Sequence, residues 1–140
     1  MKSRKTIVVL MIAVMMCSTN TLAQTPSSNP PIVIQPFWTN ASEVNPKLSF
    51  DGTTATCSAI VKGFSGTTKI TATAKLGRKT GTSTYTTVKT WSDLSVNGAT
   101  LTFSDTYTVT KGYTYRLTIS ADVTRNGTTE SVSNWIEKSC

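Results

Sequence analysis

The side chains of this chain that could do chemistry are seven carboxylates, Glu43, Asp51, Asp93, Asp105, Asp122, Glu130 and Glu137, and three cysteines, Cys17, Cys57 and Cys140. Histidine is absent. Without an imidazole, the relay that activates a serine or cysteine nucleophile cannot be built. A glycosidase-type mechanism would need two carboxyl groups held about 5 to 9 Å apart, and the spacing of these seven suggests no such pair. Asp51 falls in a turn, and Asp105 and Asp122 are expected on the solvent faces of their strands. None of the eight glycines forms a run ahead of a helix, so no phosphate cradle is present. Cys17 lies in the leader segment, and the two remaining cysteines do not complete a zinc site, which argues against a bound metal. The expectation is a protein that is not an enzyme and takes no cofactor.

Binding is the chemistry that remains. Phe37 and Trp38 could stack on a ligand if exposed, with Lys75, Arg78 and Lys79 adding charge attraction. The outward threonines of neighbouring strands could form a flat contact face, although threonine also suits any wet strand face through its β propensity. Tyr115, Trp91 and Trp135 are read as structural.

The elements that must position these residues follow from periodicity. Tyr113, Tyr115, Leu117, Ile119, Ala121 and Val123 alternate with Thr114, Arg116, Thr118, Ser120 and Asp122, the period of a strand with one wet face. Lys111-Gly112 marks a turn before it. Asn126-Gly127 after it predicts a type I′ hairpin, which needs positive φ at both central residues. Six further strands are expected around Leu48 and Phe50, 55–61, 70–76, 85–91, 101–109 and 128–135. The fourth is irregular, because Tyr85, Val88 and Trp91 do not share one parity. Helical periodicity is absent beyond the leader, so the fold class is an all-β antiparallel sandwich of about seven strands, Ig-like or fibronectin type III-like.

Residues 1–23 carry Lys2, Arg4 and Lys5, then an apolar run over 7–16, then Thr21-Leu22-Ala23, the pattern of a signal peptide cleaved after Ala23. Secretion is expected, with no membrane contact after cleavage. Residues 24–46 read as a Pro/Ser/Asn-rich tether leading to an apolar edge segment (Ile32, Val33, Ile34, Phe37, Trp38), and 47–140 as the sandwich domain. Without the leader the chain has 11 basic against 7 acidic residues, a charge of +4. The basic residues are scattered, which excludes a nucleic-acid stripe and leaves a cell-wall polymer, a carbohydrate or a protein as partner. Export would permit a disulfide between Cys57 and Cys140, constraining the unfolded chain by about 4–5 kcal/mol. Cys57 could equally stay buried and unpaired beside Ala55, Ala59 and Val61, with Cys140 free to bridge a second chain. The sequons at Asn40 and Asn126 would matter in a eukaryotic secretory pathway.

Val109 followed six residues later by Tyr115, then Leu117, Ile119 and Ala121, resembles the corner and following strand of fibronectin type III domains. The resemblance implies that Tyr115 bonds back to the preceding loop. Lys111 replaces the usual corner proline, and no tryptophan lies near Cys57, so a different core packing is implied. Residues 48–59, 86–94 and 107–117 are similar to recurring segments of small secreted proteins of Gram-positive, clostridia-like bacteria, a family without an assigned activity. The leading expectation is a non-catalytic binding module. The alternative is a structural protein that self-associates through the edge at Ile32–Ile34 or through Cys140.

Overall fold

The computed structural model describes residues 37–140; the leader, most of the tether and the Ile32–Ile34 edge lie outside the described residues. Seven antiparallel strands follow one another as β1 (Ala41–Asp51), β2 (Thr54–Gly63), β3 (Thr67–Lys79), β4 (Tyr85–Val96), β5 (Thr100–Thr108), β6 (Thr114–Arg125) and β7 (Thr128–Ser139). They form a three-stranded sheet in the order β1-β2-β5 and a four-stranded sheet in the order β4-β3-β6-β7. The protein is an all-β, two-sheet sandwich.

Alternation builds the core between the sheets. Val44 and Leu48 of β1, Ala55, Cys57, Ala59 and Val61 of β2, and Leu101 and Phe103 of β5 face Ile70, Ala72, Ala74 and Leu76 of β3 and the inward row of β6. In that row Tyr115, Leu117, Ile119, Ala121 and Val123 are all buried. Tyr113 falls outside the pattern: it precedes β6 and is exposed, with the Arg78 guanidinium over its ring at 4.7 Å. Strand β1 begins at Ala41, within the stretch read as tether and edge segment. It tolerates the buried Pro46 because it is an edge strand, pairing only with β2.

The turn residues act as their chemistry dictates. Asn126 (φ 49°) and Gly127 (φ 80°) both adopt the left-handed conformation required by the β6–β7 hairpin. The irregular parity of β4 has a local cause. Between its pairs with β3, Ala72↔Leu94 is followed by Ala74↔Trp91, and Leu76↔Lys89 by Gly77↔Thr87. Each step contains one extra β4 residue, so the strand bulges twice, once around Ser92 and Asp93 (φ 61°) and once at Val88. The bulges let Trp91 turn inward opposite Ala74 although it does not share parity with Val88.

Side-chain hydrogen bonds close the open flanks of the sandwich. On one flank the Trp91 indole N–H donates to Asp105 Oδ2 at 2.6 Å, and its ring packs on Phe103 at 5.2 Å. Asp105 thus shares the parity of Leu101 and Phe103 and pairs with Cys57, but at the open flank it stays solvent-exposed, as expected, while its carboxylate holds the Trp91 indole. On the other flank Asn134 Nδ2 donates to the Val44 carbonyl at 2.8 Å. At the hairpin pole the Glu130 carboxylate accepts the backbone N–H groups of Thr39 (2.8 Å), Asn40 (2.6 Å) and Ala41 (3.3 Å). The buried Asn40 side chain donates to the carbonyls of Val123 and Thr128, both at 3.0 Å. This clasp seats the entering chain. Both amide hydrogens of Asn40 are used internally, so its sequon is not a surface acceptor in the folded protein.

Candidate functional site

The outward face of the four-stranded sheet gathers most of the side chains with binding chemistry. Strand register sets them in rows across β3, β6 and β7: Thr71–Asp122–Ser131, Thr73–Ser120–Ser133, Lys75–Thr118–Trp135, and Gly77–Arg116–Glu137. The first two rows are short. Flanked by Asp93 and Ser95 of β4, they leave a trough of about 650 Å³ lined mainly by hydroxyls. Ser131 donates to Asp122 at 2.6 Å and Ser92 to Asp93 at 3.0 Å, which orients both carboxylates.

The next rows are tall and aromatic. The Arg116 guanidinium lies 3.9 Å from the Trp135 ring centroid and 4.0 Å from that of Tyr85. Arg116 Nη2 donates to Glu137 Oε2 at 3.0 Å and to the Tyr85 hydroxyl at 2.8 Å. Lys79 Nζ donates to Glu137 Oε1 at 3.0 Å, and the Tyr85 hydroxyl donates to the same carboxylate. Gly77 makes room for this arrangement: a Cβ there would lie 3.1 Å from Tyr85 Cβ, tighter than ordinary contact. The Tyr85 hydroxyl, with Lys79 and then Arg116, holds the Glu137 carboxyl down to about 2. It stays ionised across ordinary pH and offsets one of the two cations, Lys79 and Arg116, that share it. Trp135 remains 53% exposed, a held aromatic on a sheet face. Read as structural from the sequence, it shares parity with Ser131 and Ser133, opposite to the buried Val132, so it lies on the outward face and not in the core.

The other residues proposed from sequence divide between surfaces. Lys75 is exposed beside Trp135 on this face, and Lys79 belongs to the stack. Arg78 turns to the opposite side of the sheet, over Tyr113. Phe37 is fully exposed and Trp38 packs against the core, both by the clasp at the β6–β7 hairpin pole. Between that pole and Lys79 runs nearly the whole length of β3, about 30 Å at the rise of a strand. The structure does not bring Phe37 and Trp38 together with the basic residues. Trp91 and Tyr115 are buried; the Tyr115 hydroxyl donates to the Thr110 carbonyl at 2.9 Å and accepts the Thr110 N–H at 3.0 Å. Tyr85, Arg116 and Glu137 were missed as a site, because they lie on three strands and only register brings them together.

Cys57 and Cys140 are free thiols. Cys57 is fully buried, and burial, with the nearby Asp105, pushes its thiol up to about 11. Cys140 Sγ lies 3.5 Å from the Gly52 carbonyl at the β1–β2 turn. Cys57 is five residues along β2 from that turn, on the order of 16 Å at strand rise, beyond disulfide reach in this arrangement. Among the described residues no three histidine, cysteine, aspartate or glutamate side chains gather where a metal could be held.

No family model matches the sequence. No curated protein matches it either. Among solved structures the chain is similar to the sporulation control protein Spo0M from Bacillus subtilis, with a TM-score of 0.44 and 16% identity, covering 74% of this chain and 51% of that one. The chain thus spans about half the length of that structure.

Proposed function

We propose that the protein is a secreted, non-catalytic binding module of fibronectin type III-like build that contacts a cell-surface polymer through the outward face of its four-stranded sheet. The observation that carries this reading is the stack of Tyr85, Arg116 and Trp135, which holds an aromatic half-exposed beside a hydroxyl-lined trough. A sugar ring has an apolar C–H face that stacks on an indole and a rim of hydroxyls that pairs with Ser, Thr and Asp side chains. Both partners are present here, side by side. The fibronectin-like reading is supported by the placement of β4 beside β3 and by the Tyr115–Thr110 corner. Secretion is supported by the leader pattern alone.

The non-catalytic part draws on four of the seven carboxylates being occupied in the fold, and on Asp122 and Asp93 of the trough each being held by a serine. Glu137 serves the stack, Glu130 the clasp, Asp105 the Trp91 indole and Glu43 an ion pair with Lys62 at 2.7 Å. Co-sedimentation with insoluble cell wall and a panel of polysaccharides tests the reading. One polymer should retain the protein, and Trp135→Ala should weaken retention about tenfold, the contribution of one aromatic contact. Failure of every polymer to retain the protein would refute the polymer reading.

A further inference from the structure

On the other side of the same sheet, Arg78 continues the core-facing row of β3 beyond Leu76 and sits opposite Tyr115 of β6. A cation at the end of an apolar row needs a counterpart; the described residues supply the Tyr113 ring, 4.7 Å from the guanidinium, but no carboxylate. Their ion pairs are Lys62–Glu43, Lys79–Glu137 and Arg116–Glu137. The Arg78 Nε is shielded from solvent and has no hydrogen-bond partner among the described residues. Beside it lies a cavity of about 120 Å³ lined by Val88, Tyr107, Val109, Thr110 and Tyr115, among others, with no carboxylate in its wall.

The donors and acceptors around this cavity are unbalanced. The Tyr115 hydroxyl is spent on both backbone groups of Thr110. Tyr107 lines the wall and is only half-buried, and its hydroxyl makes no hydrogen bond to the described residues. Arg78 carries a planar fork of donors and a full charge. The volume equals about four waters, room for a carboxylate or phosphate group and too little for a whole sugar ring.

We propose that this cavity is an oxyanion site in which Arg78 binds a carboxylate or phosphate group, with the Tyr107 hydroxyl as a second donor. The anion neutralises a half-buried cation whose Nε is shielded and unpartnered, and the fork geometry favours two-oxygen acceptors over a spherical halide. The site is independent of the outward face. Bulge residue Val88 forms part of its wall, which gives the irregularity of β4 a role in shaping it.

The test is an NMR titration of the full chain with sodium acetate, inorganic phosphate and, at matched ionic strength, sodium chloride. Acetate or phosphate should shift the Arg78 Nε–H and the Val88 and Tyr107 amides along saturable curves, and chloride should not. Arg78→Lys keeps the charge and loses the fork, so it should weaken binding about tenfold with the rest of the spectrum unchanged. Tyr107→Phe should weaken it by a smaller factor. Arg78→Gln should abolish saturation. The proposal is overturned if acetate and phosphate produce only the drift seen with chloride, or if saturation survives unchanged in Arg78→Lys. The midpoints of the two saturable curves rank acetate against phosphate, and none of these readouts depends on polymer binding at Trp135.

Discussion

Replacing Tyr115 by Phe removes one oxygen atom and should destabilise the fold by about 2 kcal/mol. The ring is 2% exposed and packs on Phe50 with centroids 5.8 Å apart, so the shape of the core is kept. What is lost is the pair of bonds to the Thr110 carbonyl (2.9 Å) and amide (3.0 Å). Thr110 itself is exposed, and water can partly replace the hydroxyl, so each bond counts at the ordinary net value of about 1 kcal/mol. A domain of about 100 residues unfolds with an entropy near 0.2 kcal/mol/K, which turns this loss into a fall in Tm of about 9 °C. Urea denaturation followed by tryptophan fluorescence should show a lower midpoint with an unchanged slope. Thr110→Ala is the control: the partners are backbone groups, so its cost should stay within about 0.5 kcal/mol. A loss below about 0.5 kcal/mol in Tyr115→Phe, or an equal loss in Thr110→Ala, would refute the corner as a source of stability.

Other outcomes follow from the same structure. Glu137 has its carboxyl lowered from 4.5 to about 2, chiefly by the Tyr85 hydroxyl and Lys79. A depressed folded-state value means the stack's contribution is complete above the ordinary value and lost as pH falls through about 2. Trp135 fluorescence should hold steady from neutral pH to about pH 4 and change only in stronger acid, and Glu137→Gln should lack that transition. Cys140 should react readily with a thiol reagent in the native protein, and Cys57 only on unfolding, given its complete burial and its raised thiol value of about 11. Reductant should leave the Tm unchanged, and a Tm that falls in reductant would contradict the separation of the two thiols. Asn40→Ala should cost about 2 kcal/mol by leaving the Val123 and Thr128 carbonyls without their donor, measured by thermal denaturation.

The parts of the fold that were legible in the sequence are those governed by strict alternation. The inward row of β6 and the β3 row from Ile70 to Leu76 follow parity without interruption. The Asn126-Gly127 hairpin follows from the φ values its turn demands. Strand β4 was expected from residue 85, but its register was not legible, because two bulges reset its parity and no single residue type announces a bulge. Asp105 is exposed as expected, but its role was not legible although it shares parity with Leu101 and Phe103: its partner, the Trp91 indole, is 14 residues away. The clasp joins Asn40 to Glu130 across 90 residues, and the stack joins Tyr85, Arg116 and Glu137 across three strands. Such contacts depend on sheet order, which alternation alone does not specify. That Phe37 and Trp38 lie at the opposite pole from Lys79 was not legible for the same reason, since composition cannot tell which pole of the sandwich each occupies.

The measurement that tests the account most directly compares three proteins on the same insoluble polymers: the unaltered chain, Trp135→Ala and Phe37→Ala. The outward face as binding surface predicts retention of the unaltered chain by at least one polymer, about tenfold weaker retention of Trp135→Ala, and unchanged retention of Phe37→Ala. Retention that survives in Trp135→Ala and disappears in Phe37→Ala would move the site to the β6–β7 hairpin pole and contradict the face proposed here.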